Sequence, residues 1–230
     1  EEGSVFYQHC RSMLDALDAA ERAITNLQSK PQGKIKLTAP VTYGEKQVLP
    51  LVNNFIKQYS DVEVSAYLSN RNIDLVEEGY DLAIRLGKLT DSSMMAKKLG
   101  KRIKYVCASP QYLDKYGIPH AISELTAHSC LLGTLDYWQF CESGKERSIR
   151  VTGRLRYNNG YSLTDAALKG LGIVQLPDYY VQAYIESGEL VTLLDTYRAP
   201  DEGIWAVYPH NRHLSPKIRL LVDYFAEQLL

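Results

Sequence analysis

From Lys34 onward, apolar runs with the period of strands alternate with runs that have the period of helices, and this alternation restricts the fold more than any other feature of the chain. KIKLTA (34–39) reads as a strand. In TYGE (42–45), Thr42 and Glu45 have the spacing of a capping box, and Val48, Val52, Phe55 and Tyr59 then share one helical face. Pro50 inside that helix predicts a kink or a restart. VEVSAYL (62–68) is a second strand, NIDLVEEG (72–79) a short helix stopped by Gly79, and YDLAIRLG (80–87) a third strand. Such a βαβαβ run predicts a parallel sheet with helices on its faces.

The pattern repeats further on. IKYVCAS (103–109) reads as a strand and SPQYLDKYG as a helix with Pro110 in its first turn. After a less regular stretch, RVTGRLRYN reads as a strand, SLTDAALKG as a helix ended by Gly170, and GIVQL as a buried strand, with Pro177 at a new helix start. A second β-α-β unit therefore spans roughly 110–208 and ends in the returning strand GIWAVYP (203–209). In the last segment Ser215 is placed as N-cap and Pro216 at the first helical position, and Ile218, Leu221, Val222, Phe225 and Leu229 line one face.

Residues before Lys34 behave differently. Phe6, Cys10, Met13, Leu17, Ala20, Ile24 and Leu27 recur at alternating spacings of four and three, the seam of a helix that pairs with another helix. Pro31 and Gly33 end it.

Composition removes several function classes. Twenty-six Lys and Arg against 27 Asp and Glu leave a net charge of −1, without the basic excess of a domain that grips phosphate backbones. The one basic run, KKLGKRIK (97–104), alternates with Leu99, Ile103 and Tyr105 and reads as a strand with a solvated face. The four cysteines, Cys10, Cys107, Cys130 and Cys141, have no metal spacing and suit a reduced, cytoplasmic protein. No apolar run approaches the roughly 18 residues of a membrane span, and no signal peptide is legible. Nucleotide-binding, hydrolase and zinc signatures are absent, and His210 and His213 read as surface residues. The reading is therefore of a non-enzyme that needs no cofactor and no metal.

Binding chemistry is easier to place. Arg85 stands near the end of the third strand, where a charge requires a partner, either Asp74 or Asp81 of the chain itself or a ligand. Thr42 after the first strand and Asn158-Asn159 before a later helix mark strand-to-helix junctions, whose free N–H groups attract anions.

Taken in order, TAPVTYG, LPLVNNFIKQYSDVEV, NRNIDLVEEGYDLAIRLG, DSSMMAKKLG, CASPQYL, HSCLL, AALKGLGIVQLP, GELVTLL and AVYPHNRHLSPKIRLLVDY resemble the effector-binding region of LysR-type transcriptional regulators, over about Gly33 to the C-terminus. The resemblance implies two Rossmann-like subdomains of the type 2 periplasmic-binding-protein fold, preceded by a linker helix. Residues 1–32 would be that dimerising linker, 33–109 with 210–230 subdomain I, and 110–209 subdomain II. It implies a small effector bound between subdomains, and DNA contacted only through a winged helix-turn-helix outside this chain. It also implies self-association as dimer or tetramer. Carried over by position, the pocket would use Pro40, Thr42, Tyr43, Ser69, Asn70, Arg85, Ser109, Asn158, Asn159 and Ser162. Where the resembling subgroup often has acidic residues, this chain has Asn70, Asn159 and Tyr161, which favours an anionic effector. A solute-binding protein of a transporter is the alternative.

Overall fold

The computed structural model describes residues 31–89, 94–209 and 215–229, with residues 3, 6, 7, 9, 10, 12, 13 and 16 of an N-terminal helix. The chain parts into two compact units, Glu1–Gly100 with Gly203–Leu230, and Lys101–Glu202.

In the first unit, β1 (Gly33–Ala39) pairs in parallel with β2 (Val62–Leu68) from Gly33↔Val62 to Ala39↔Leu68, and with β3 (Leu82–Leu86) at Leu37↔Leu82 and Thr38↔Ala83. The returning strand β10 (Glu202–Pro209) lies antiparallel to β3, and β4 (Met94–Arg102) completes the order β2-β1-β3-β10-β4. Period-two alternation sets the two faces. Ile35, Leu37 and Ala39 are fully buried on one of them. The final helix α6 (Pro216–Gln228) packs against β1 and presents Ile218, Leu221, Val222 and Phe225, all buried. Burying a side chain of this size contributes about 2 kcal/mol.

The segment between β1 and β2 departs from the sequence reading at its cap. Pro40, not Thr42, holds the N-cap position, and Thr42 lies inside the helix. Three stretches then follow without interruption: α1 (Val41–Tyr43), a π-helical turn (Gly44–Val48) and α2 (Leu49–Gln58). Pro50 falls in the first turn of α2, where α geometry starts anew after the π turn without a gap in the chain of helical residues. Proline cannot supply the N–H that α geometry would aim at the Lys46 carbonyl, and the π turn before it, in which Leu49 N–H reaches Gly44 O, widens the helix there.

NIDLVEEG is a turn rather than a helix. Asp74 Oδ1 accepts from the Val76 and Glu77 amides at 2.9 and 3.0 Å, and Gly79 closes the turn at φ +69°. Ile73, Leu75 and Tyr80 pack with Ala83 and Val207 over the second sheet face.

The second unit holds β5 (Lys104–Ala108) between β8 (Val174–Pro177) and β9 (Val191–Leu193), both antiparallel to it. The sequence reading ended the first subdomain at 109 and the second at 209. By pairing, β5 belongs to the second sheet and β10 to the first, because pairing partners, which no local pattern encodes, decide membership. RVTGRLRYN is not a strand; parallel contact there is reduced to the bridge Leu132↔Arg156. The hairpin of β6 (Tyr137–Glu142) and β7 (Lys145–Arg150) lies in the stretch read as irregular. Helices α3 (Pro110–Tyr116), α4 (Gly160–Leu168) and α5 (Asp178–Glu186) complete the unit. Among the described residues no helix is long and apolar enough to cross a membrane.

Candidate functional site

The carboxyl ends of β1, β2 and β3 gather most of the expected residues of the first unit. Ser69 N–H donates to the Ala39 carbonyl at 2.9 Å, fastening β2 to β1 beyond their last paired residues. Ser69 is nearly buried and its Oγ accepts from the Arg71 amide at 3.1 Å. Asn70 Oδ1 accepts from the Val41 amide at 3.0 Å, so a residue from β2's end caps the helix that β1 feeds. The Thr42 amide, next in the first turn, has no acceptor within the helix by its geometry. Thr42 is half-buried and Tyr43 buried.

Arg85 is half-buried on β3. Arg85 lies on β3 two residues beyond Ala83, the partner of Thr38 on β1. Its Nη2 donates to the Ile73 carbonyl at 2.9 Å, and among the described residues it forms no ion pair. Asp74, one of the two expected internal partners, caps the turn; Asp81 accepts from the Lys36 amide at 2.8 Å. Burial lowers the pKa of Arg85, yet a guanidinium stays charged. It retains donors in a fork suited to a carboxylate.

Sequence reasoning missed Thr38. It is fully buried, its Oγ1 has no partner among the described residues, and strand alternation puts it on the same sheet face as Arg85. The signal available was a hydroxyl inside the apolar run KLTA.

In the second unit, Asn159 caps α4, with Oδ1 accepting from Ser162 N at 3.1 Å. Asn158, Asn159, Tyr161 and Ser162 line an open depression with Tyr157 and Asp165. Tyr161 meets Tyr180 edge-on, with ring centroids 5.0 Å apart. Ser109 is not among the lining residues: it is buried, and its Oγ accepts from Tyr112 N as the N-cap of α3.

Phe6, Cys10 and Met13 are helical; Phe6 and Met13 are exposed and Cys10 half-buried. Leu17, Ala20, Ile24 and Leu27 lie outside the described residues, as do His210 and His213. Cys107 and Cys130 are buried, and burial pushes each thiol up to about 12, far from a reactive thiolate. Among the described residues no group of His, Cys, Asp or Glu could hold a metal ion.

Comparison with known proteins gives one consistent result. Residues 28–230 match the family model described as the LysR substrate binding domain. An uncharacterized HTH-type transcriptional regulator of Haemophilus influenzae is 32% identical over 95% of this chain and 77% of its own length. The HTH-type transcriptional activator TtdR of Escherichia coli K12 is 31% identical over 98% of this chain and 74% of its own length. The full-length structure of AphB, a Vibrio cholerae virulence activator, superposes with a TM-score of 0.77 at 31% identity, covering 100% of this chain and 80% of that one. The CrgA regulatory domain of Neisseria meningitidis gives 0.74 at 29% identity, covering 87% and 100%.

Proposed function

The chain belongs to the LysR substrate-binding-domain family and is the effector-binding domain of a LysR-type transcriptional regulator, and from that premise we propose that its effector is a small organic anion anchored by Arg85. The observation that supports this most is the half-buried guanidinium without a carboxylate partner among the described residues, at the carboxyl edge of a parallel strand, the edge at which open α/β sheets take ligands. The first-turn amide of Thr42 and the Asn70 carboxamide, at the ends of β1 and β2 in the same unit, add polar groups suited to an anion.

The role is binding, not turnover. An effector that prefers one arrangement of the domain shifts its population, and that shift reaches DNA through the rest of the regulator. Self-association fits the exposed Phe6 and Met13 at the seam of the N-terminal helix. Deleting residues 1–30 lowers the particle mass measured by light scattering if that seam pairs two copies; an unchanged mass removes it from the interface. The identity of the effector is tested by native mass spectrometry of the protein as purified, followed by calorimetric titration with any anion found. A neutral or cationic molecule as the tightest ligand would contradict the proposal.

A further inference from the structure

A second polar group, in the second unit and away from the residues assigned to the effector, couples a titratable ring to the path of the backbone. His128 follows the 3-10 turn Ile122–Ala127, and its Nδ1 lies 3.2 Å from the Tyr112 hydroxyl. The Tyr112 oxygen already accepts from the Ser129 amide at 3.0 Å. In the neutral tautomer with its proton on Nε2, Nδ1 accepts the phenol proton and completes a chain from the Ser129 amide through Tyr112 to the ring. Tyr112 itself is only 2% exposed, so it has no access to replacement water. The Ser129 hydroxyl is buried without a partner among the described residues.

What this chain of bonds holds is structural. Ser129 O accepts from Ile173 N at 2.9 Å, Cys130 N donates to Thr152 O at 3.0 Å, and Leu131 N donates to Ile173 O at 2.7 Å. The 128–131 segment is thus stitched to β8's approach and to the 151–153 loop, and Tyr112 ties its first turn to α3.

We propose that the Tyr112–His128–Ser129 hydrogen-bond chain is an acid-sensitive latch, closed when His128 is neutral and opened when it is protonated. A protonated Nδ1–H faces an oxygen whose own hydrogen then has no acceptor on the ring, and the imidazolium would sit beside Tyr112, itself a member of the apolar cluster with Leu113, Ile122, Leu125 and Cys130. The groups facing it are few. Glu124 on the 3-10 turn is the carboxylate that acts on it, and that side chain already accepts from the His120 amide at 2.8 Å. From α3 come Tyr112 and, stacked on it, Tyr116 with Lys115 over its ring; Cys130 follows in the chain. None of these offers a second carboxylate to the imidazolium. Burial lowers the His128 pKa, with Glu124 opposing weakly.

The direct test is Ser129 amide exchange in the intact protein, followed by NMR beside the His128 ring resonances, with the Ser162 amide as a control capped by Asn159. The protection of Ser129, corrected for the intrinsic rate, falls about tenfold or more between near-neutral pH and about pH 5, tracking the His128 midpoint, while Ser162 does not change. The variant His128→Asn abolishes the pH dependence. Constant Ser129 protection through the titration, or the same fall in the variant, overturns the latch. Should His128→Asn not fold, coincidence of the two midpoints in the unsubstituted protein decides it, a separation of about one pH unit or more counting against.

Discussion

Arg85 donates to the main-chain carbonyl of Ile73, 12 residues earlier, and to no carboxylate among the described residues. A lone carbonyl satisfies part of one face of the guanidinium. Of the two internal partners expected for it, Asp74 accepts from the Val76 and Glu77 amides and Asp81 from the Lys36 amide. Across the strand pair from Arg85 stands Trp205, whose Nε1 is held by the Gly87 carbonyl at 2.9 Å. The arginine sits on a fixed platform.

Glu202 ties two basic side chains together. It accepts from Lys104 at 2.7 Å and from Arg102 Nε at 2.7 Å. Burial alone would raise its pKa, but the Lys104 hydrogen bond and the charges of Arg102 and Lys104 hold it below the usual carboxylate range. Because the folded value is depressed, its stabilisation is present above the unfolded pKa and is lost as pH falls through the folded one. Glu202→Gln is expected to destabilise by about 2 kcal/mol at neutral pH, by leaving two poorly solvated cations unpaired. The gap from the unsubstituted protein, read by urea denaturation, should close in acid.

Gly44 is required by space and not by backbone angle. A Cβ there would fall 2.4 Å from Leu68 Cδ2 and 3.1 Å from the Ala39 Cβ. Gly44→Ala should cost about 1–3 kcal/mol through overpacking, although alanine is the better helix former. Equal or higher thermal stability would show that the π turn yields without strain.

The Asn159 cap is separable from ligand contact. Asn159→Ala should cost about 1 kcal/mol, and Asn159→Ser should recover most of it, because a serine hydroxyl also caps. If Asn159 also meets the effector, the serine variant restores stability in thermal melts without restoring affinity in calorimetry.

Legibility in the sequence followed the range of the interactions. Alternation in KIKLTA and VEVSAYL and the apolar stripe of 216–229 are local, and β1, β2 and α6 formed where they were expected. The cap at Val41 was not legible, because its acceptor, Asn70, arrives from another strand 29 residues away and makes Thr42 superfluous as a cap. NIDLVEEG has helical spacing, yet Asp74 turns its carboxylate onto the local amides and the segment closes as a turn. Ser215 illustrates a different limit. It holds the N-cap position of α6, but its hydroxyl makes no capping bond and is buried without a partner among the described residues. At the site, strand ends and helix starts were readable from junction residues, whereas Thr38 emerged only from the register of β1 against β3.

The central claim, that Arg85 anchors a small organic anion, is tested most directly by thermal shift with a panel of small mono- and dicarboxylates on the unsubstituted protein and on Arg85→Ala, with circular dichroism as the check on folding. At least one anion should raise the Tm of the first in a concentration-dependent way, as mass action on the native state requires, and none should raise that of the variant, whose spectrum is unchanged. An equal shift in Arg85→Ala, or a variant that unfolds, would contradict the account: the first outcome removes Arg85 from the ligand and the second makes it a structural residue.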